Sequence, residues 1–172
     1  MGPQFVYQSA WGASAPANSV GGGSPFVVAN IFEFAVDGFI VGVRYYRNAS
    51  DDDEHVGAVF AEADNELLGV TKFKYNSTGA NTGWQHAYLR PRVPVSTGVL
   101  YYVGVSFGRQ FIGYTASVFN SGPIVSGDIT CPQDSPTHWN GIFGPNFTRT
   151  AWSHDPGTRY GIDCLFLRGD LH

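Results

Sequence analysis

Charge is scarce in this 172-residue chain: Asp, Glu, Lys and Arg together make up 14% of it, well under the roughly one quarter usual for a soluble domain. Ten Lys and Arg against fourteen Asp and Glu leave a formal net charge of −4. No basic run stands out. Lys72, Lys74, Arg90 and Arg92 come nearest, and they alternate along strand-like segments as solvent-facing positions do, so no nucleic-acid partner is expected. Cysteine is nearly absent too. Cys131 and Cys164 are too few for a disulfide framework, and the favoured reading is two reduced thiols with Cys164 in the core. No apolar run is long enough to span a bilayer as a helix, so no membrane insertion is expected. Residues Met1-Gly2-Pro3-Gln4 hold neither a basic n-region nor an apolar h-region, and Pro3 spoils a myristoylation signal. The expectation is a chain that no ordinary signal peptide exports. Nor does any stretch sustain a helical period.

What is present is a series of short apolar-aromatic blocks separated by turn residues. Residues 1–25 are rich in Ala, Ser, Gly and Pro and are expected to form an irregular N-terminal arm, with Trp11 packed against the domain. Residues 26–172 are expected to form the domain itself. Strands are expected over 26–36, with both faces largely apolar, and over 39–47, 56–63 and 67–75. Further strands are expected over 84–90, 99–107, 111–119 and 159–166. Asp37-Gly38 marks a turn, and Ala63-Asp64-Asn65-Glu66 marks a tight hairpin in which Asp or Asn takes the left-handed conformation. Pro91 to Gly98 reads as a connection. Residues 121–158 read as one long irregular segment, of a length that marks a contact or functional loop. The spacing predicts an all-β, single-domain antiparallel β-sandwich of jelly-roll-like type.

Catalytic signals are few. Gly104-Val105-Ser106-Phe107-Gly108 spells the nucleophile-elbow pattern, but that elbow needs a strand, a sharp turn and a helix, and Ser106 lies within an alternating strand. The histidines are not at zinc-ligand spacing, and no carboxylate pair stands out as an acid and base. A non-enzyme is expected. Asp51, Asp52 and Asp53, followed by Glu54 and His55, offer oxygen ligands for Ca2+, although a solvated turn explains them better. Trp139, Phe143, Trp152 and Tyr160, in or beside the long late segment, are candidates for stacking on a glycan or contacting a subunit, against packing onto their own core. Asn48, Asn76 and Asn146 begin glycosylation sequons, and Arg168-Gly169-Asp170 spells an adhesion tripeptide; chance accounts for the latter best.

The ordered series Glu33-Phe34, Gly42-Val43-Arg44-Tyr45-Tyr46, His55-Val56-Gly57, Leu67-Leu68, Phe73, Gly83-Trp84-Gln85, Pro94-Val95, Gly98, Tyr101-Tyr102-Val103, Tyr160 and Asp163 through Phe166 resembles the bacterial β-sandwich family catalogued as domain of unknown function 4082. The resemblance spans roughly residues 26–166. It departs at Ala61-Glu62-Ala63, where a Trp-Thr type of ending is usual, and from Cys131 to Trp152. The resemblance implies a sandwich module without established catalytic residues. Such modules usually sit in secreted multidomain proteins beside carbohydrate-active or immunoglobulin-like domains, and similar domains occur in tail proteins of phages that infect actinobacteria. The expectation is a non-catalytic structural or adhesion protein of a bacteriophage virion, a minor tail or capsid decoration subunit assembled in the host cytoplasm. Its partners would be other virion subunits in a homo-oligomer or symmetric assembly, and a cell-surface glycan. The alternative is a carbohydrate-binding module of a secreted bacterial protein.

Overall fold

The computed structural model describes residues 6–21, 25–49, 51, 53–74, 82–108, 111–148 and 152–169. Fourteen strands and no helix are found among them: β1 (Asn18–Gly21), β2 (Phe26–Phe34), β3 (Gly38–Arg47), β4 (Val56–Ala61), β5 (Leu67–Lys72), β6 (Gly83–Val95), β7 (Leu100–Phe107), β8 (Phe111–Thr115), β9 (Ile124–Ser126), β10 (Ile129–Cys131), β11 (Ile142–Gly144), β12 (Ser153–His154), β13 (Arg159–Tyr160) and β14 (Ile162–Arg168). They form two antiparallel sheets packed face to face as a sandwich. In the first sheet, β3 pairs along its length with β6 on one edge and β14 on the other, and β8 carries β1 and β13. In the second, the order is β12-β11-β2-β7-β4-β5, with the β9–β10 hairpin joined to the far end of β2.

Alternation explains which side chains meet. Val28, Phe32 and Phe34 of β2, Val103, Val105 and Phe107 of β7, Val43 and Tyr45 of β3, and Ile162, Cys164 and Phe166 of β14 all point between the sheets. The opposite parity of the second sheet is also buried: Ala29, Ile31, Ala58, Phe60 and Tyr102 form a smaller cluster on its outer face. That second cluster is why β2 is apolar on both sides.

One buried amide fastens the sheets together. Asn30 is fully buried; its Nδ2 donates to the carbonyls of Tyr160 at 2.9 Å and Ile162 at 2.8 Å, and its Oδ1 accepts the Tyr160 N–H at 3.1 Å. All of its polar atoms are thereby satisfied within an apolar core, as burial requires.

Three expectations change. The connection at Pro91–Gly98 is instead strand as far as Val95. Pro91 lies where the β3–β6 register slips between Ile40 and Gly42, a bulge in which its missing N–H is not needed. The segment 121–158 is not wholly irregular, because it contributes β9 to β12. The residues expected to form an irregular arm are partly regular, since β1 pairs with β8 and Gln8 bridges Phe166, while Trp11 is packed against the domain as expected, buried against Phe32 and Phe119. The Asp163 carboxylate holds this segment, accepting the N–H groups of Ala10 (3.0 Å), Trp11 (3.1 Å) and Cys164 (2.8 Å) and pairing with Arg44 Nε at 3.1 Å. Burial pushes Asp163 above the usual carboxylate range, opposed by Arg44 and those three N–H groups. The hairpin forms as expected, with Asn65 at φ 64°. Cys131 and Cys164 are both free and buried.

Candidate functional site

Three of the four aromatic candidates, Trp139, Phe143 and Trp152, lie where the late segment crosses the second sheet, whereas Tyr160 sits on β13 beside β8 of the first. β10 and β11 pair with β2 at residues 33–34 and 27–29, leaving a gap between them. Asn140, fully buried, fills it: its Oδ1 accepts the Ile31 N–H at 3.2 Å, and its Nδ2 donates to the Pro132 carbonyl at 2.5 Å. Asp134 braces the same turn by accepting the N–H groups of Asn140 (2.8 Å) and Gly157 (2.7 Å). The segment is thus fixed by hydrogen bonds to the sheet as well as by apolar contact.

Trp152 lies over Phe60, edge to face at 5.7 Å between ring centroids, and donates its Nε1–H to the Asn146 carbonyl at 2.6 Å. Gly144 makes this possible, since a Cβ there would overlap the indole. Trp139 packs on the same outer cluster and stacks on His154 at 4.1 Å with 14° between the planes. Tyr160 is buried in the main core, where burial and the neighbouring Asp155 push its phenol well above the ordinary value. Phe143 is the most exposed of the four, at 38%, while Trp139 and Trp152 are half-buried.

These positions fall into two concavities that share His154. Trp139 and Trp152 line a small one of about 170 Å³ with Glu62 and Thr137. Phe143 and Tyr160 line a cleft of about 450 Å³ with Val20, Phe26, Ile112 and Asp155. The cleft therefore runs between β11–β12 of one sheet and β1–β8 of the other. It combines apolar walls with an imidazole and a carboxylate, the makeup of a small-ligand site.

The residues of an esterase signature also converge, in a different arrangement. Ser106 sits inside β7, and its Oγ accepts the Val56 N–H at 3.1 Å. His55, buried between the rings of Tyr45 and Phe107 at 4.6 Å from each, directs Nδ1 at the Ser106 carbonyl rather than its hydroxyl, at 2.9 Å. A carbonyl only accepts, so Nδ1 is the donor there. Nε2 meets both Asp51 oxygens at 2.8 and 2.9 Å. Both ring nitrogens are committed, and the serine stands on no elbow, so the chemistry of a nucleophile–base pair has no geometry here.

Asp51 is likewise occupied. It is buried, its carboxylate meets His55 and the Tyr45 phenol, and its carbonyl accepts two N–H groups of Arg47 at 2.9 and 2.6 Å. Burial and that carboxylate push the Tyr45 phenol well above its usual value. Both Asp51 carboxylate oxygens are thus already engaged by donors. Asp53 gives its N–H to Asp51 Oδ1 at 3.3 Å, and Asp52 lies outside the described residues. Among the described residues no group of three or more His, Cys, Asp or Glu is placed to hold a metal. Of the sequons, Asn146-Phe147-Thr148 is described in full, and its Asn146 Oδ1 accepts the Thr148 N–H at 2.7 Å; Ser50, residues 76–78 and Asp170 lie outside the described residues.

Sequence reasoning missed the two buried amides, Asn30 and Asn140, and the buried Asp163. Their partners are distant in sequence, and nothing local signals them. No curated protein matches the chain. A family model matches residues 13–156, beginning inside the segment that carries β1 and close after the buried Trp11, and so the chain belongs to the family described as Domain of unknown function (DUF4082).

Proposed function

We propose that this chain is a non-catalytic structural and adhesion subunit of a bacteriophage particle, a minor tail or capsid decoration protein. In this reading it is assembled in the host cytoplasm among other copies or other virion subunits and touches a host-surface glycan. The observation that carries the adhesive half is the cleft of about 450 Å³ beside Phe143. Val20 and Phe143 expose apolar surface at its rim, 45% and 38% respectively. An apolar sugar face packs on such an aromatic ring, while His154 and Asp155 offer hydrogen-bond partners for hydroxyls. The virion half draws on the occurrence of similar domains in phage tail proteins. Membership of the family equally favours a second reading, a carbohydrate-binding module of a secreted bacterial protein, which uses the same cleft.

Peptide mass spectrometry of purified particles and a glycan array test the two halves separately. Recovery in fixed stoichiometry with the tail or capsid proteins supports the virion; a secreted protein absent from particles sinks it. Array binding lost in Phe143→Ala supports the cleft, and binding unchanged by that substitution refutes it.

A further inference from the structure

Four basic residues that look scattered in the sequence share one surface in the fold. The outward parity of β6 carries His86, Tyr88, Arg90 and Arg92, all exposed. Residues of equal parity stand about 7 Å apart along a strand. The end of β5 lies against the free edge of β6, where Thr71 Oγ1 donates to the Tyr88 carbonyl at 2.9 Å, and this brings Lys72 and Lys74 alongside. Two concavities follow this seam and meet at Tyr88. One, of about 460 Å³, is lined by Tyr7, Tyr88, Arg90 and Arg92 over Val41 and Leu167. The other, of about 340 Å³, is lined by Lys72, Lys74, Gln85 and His86.

No carboxylate lines either concavity. Among the described residues the other cations are occupied: Arg44 pairs with Asp163, Arg47 bonds the Asp51 carbonyl, Arg168 faces Asp128, and Arg159 lies over Trp11. The Arg92 guanidinium carbon sits 3.8 Å from the Phe39 ring centroid, a cation–π contact that restrains the group beside the groove, and a guanidinium can take a carboxylate bidentately. Tyr88 and Tyr7, 47% and 40% exposed, present rings on which the apolar face of a sugar can rest.

We propose that this groove binds an acidic polysaccharide, its carboxylates on Arg90, Arg92 and the two lysines and its sugar rings on Tyr88 and Tyr7. Charge complementarity selects an anion. The spacing of the rings selects against a nucleic-acid strand: Tyr7 and His86 are tilted by 53° and 70° to Tyr88, which offers successive bases no parallel stacking ladder. The groove lies at the β6 edge of the first sheet, away from the β1–β8 cleft beside Phe143, and stands independently of it.

Affinity electrophoresis through gels containing polygalacturonate tests this, with neutral dextran and a single-stranded oligothymidylate as comparisons. Polygalacturonate should retard the protein at low salt and dextran should not. Arg90→Ala/Arg92→Ala should weaken the interaction by about tenfold or more, and Tyr88→Ala should weaken it measurably. All three positions are exposed, urea unfolding of each variant should match wild type, and Val125→Ala, at an exposed position outside the groove, should leave the retardation unchanged. Absence of retardation by polygalacturonate, retardation insensitive to the arginine pair, or tighter binding to oligothymidylate than to polygalacturonate would each overturn the proposal.

Discussion

Asn30 offers the sharpest test of how this sandwich is held together. Its amide completes three hydrogen bonds across the core, of which the Tyr160 N–H and C=O have no substitute in view, while the Ile162 carbonyl keeps the Trp11 indole N–H at 2.7 Å. Asn30→Leu, close in volume, would leave those two backbone groups buried and unpaired, at about 1–3 kcal/mol each, or about 2–6 kcal/mol in all. Asn30→Asp separates charge from shape. One oxygen still accepts the Tyr160 N–H, but the other faces two carbonyls that only accept, so the folded state needs the acid form. In the unfolded chain the same carboxyl titrates near ~3.9. The folded state then holds a proton that the unfolded state lacks, so stability falls as pH rises from about that value until the folded group itself ionises. The slope is about 1.4 kcal/mol per pH unit, which comes to about 2.7 kcal/mol between pH 5 and pH 7. Urea unfolding of both proteins at pH 5, 6 and 7 reads the difference directly. A gap between wild type and variant that stays flat to within about 0.5 kcal/mol across that range would refute the assignment of Asn30 as donor to both carbonyls.

Further predictions concern the other buried nodes. His55→Ala strips the imidazole partner from the buried Asp51 carboxylate, leaving it the Tyr45 phenol and the Asp53 N–H, and should cost about 3 kcal/mol in chemical unfolding, whereas Ser106→Ala, which loses one accepted N–H, should cost about 1 kcal/mol; equal costs would contradict the geometry. Burial pushes both Cys131 and Cys164 thiols well above their ordinary range, so neither should react with a disulfide reagent at pH 8 until denaturant is added. Asp37 accepts the Thr97 N–H at 2.8 Å and its hydroxyl at 2.9 Å, which hold its carboxyl below the usual value. Its contribution to stability is therefore present above the unfolded value and lost as pH falls through the folded one. Thr97→Val should raise the Asp37 titration midpoint seen by carboxyl NMR, and an unmoved midpoint would show the hydroxyl to be idle.

Much of the architecture was legible along the chain because local patterns dictate it. Period-two alternation placed β2, β3, β4 and β7, and Asn65 announced the left-handed corner between β4 and β5. The same alternation removed Ser106 from consideration as a nucleophile. What escaped was set by partners far away. Asn140 reads as an ordinary loop residue until the gap between β10 and β11 is known. The late aromatics divide in a way no spacing foretells: Trp139 and Trp152 cover the outer face, Tyr160 enters the main core, and Phe143 stays at the rim. Lys72 and Arg90 look like isolated solvent positions until β5 is laid beside β6.

The fastening of residues 8–11 to β14 governs when this domain can fold during synthesis. Asp163 gathers residues 10 and 11, Asn30 waits for Tyr160 and Ile162, and β3 lacks one edge until β14 arrives. A ribosome that has released the first 150 residues has thus delivered most of the strands but not the closing one, and the nascent polypeptide leaves β3 without its β14 partner. Contacts this remote in sequence make folding slow and late, and a truncation before residue 162 should yield an aggregating product instead of a smaller sandwich.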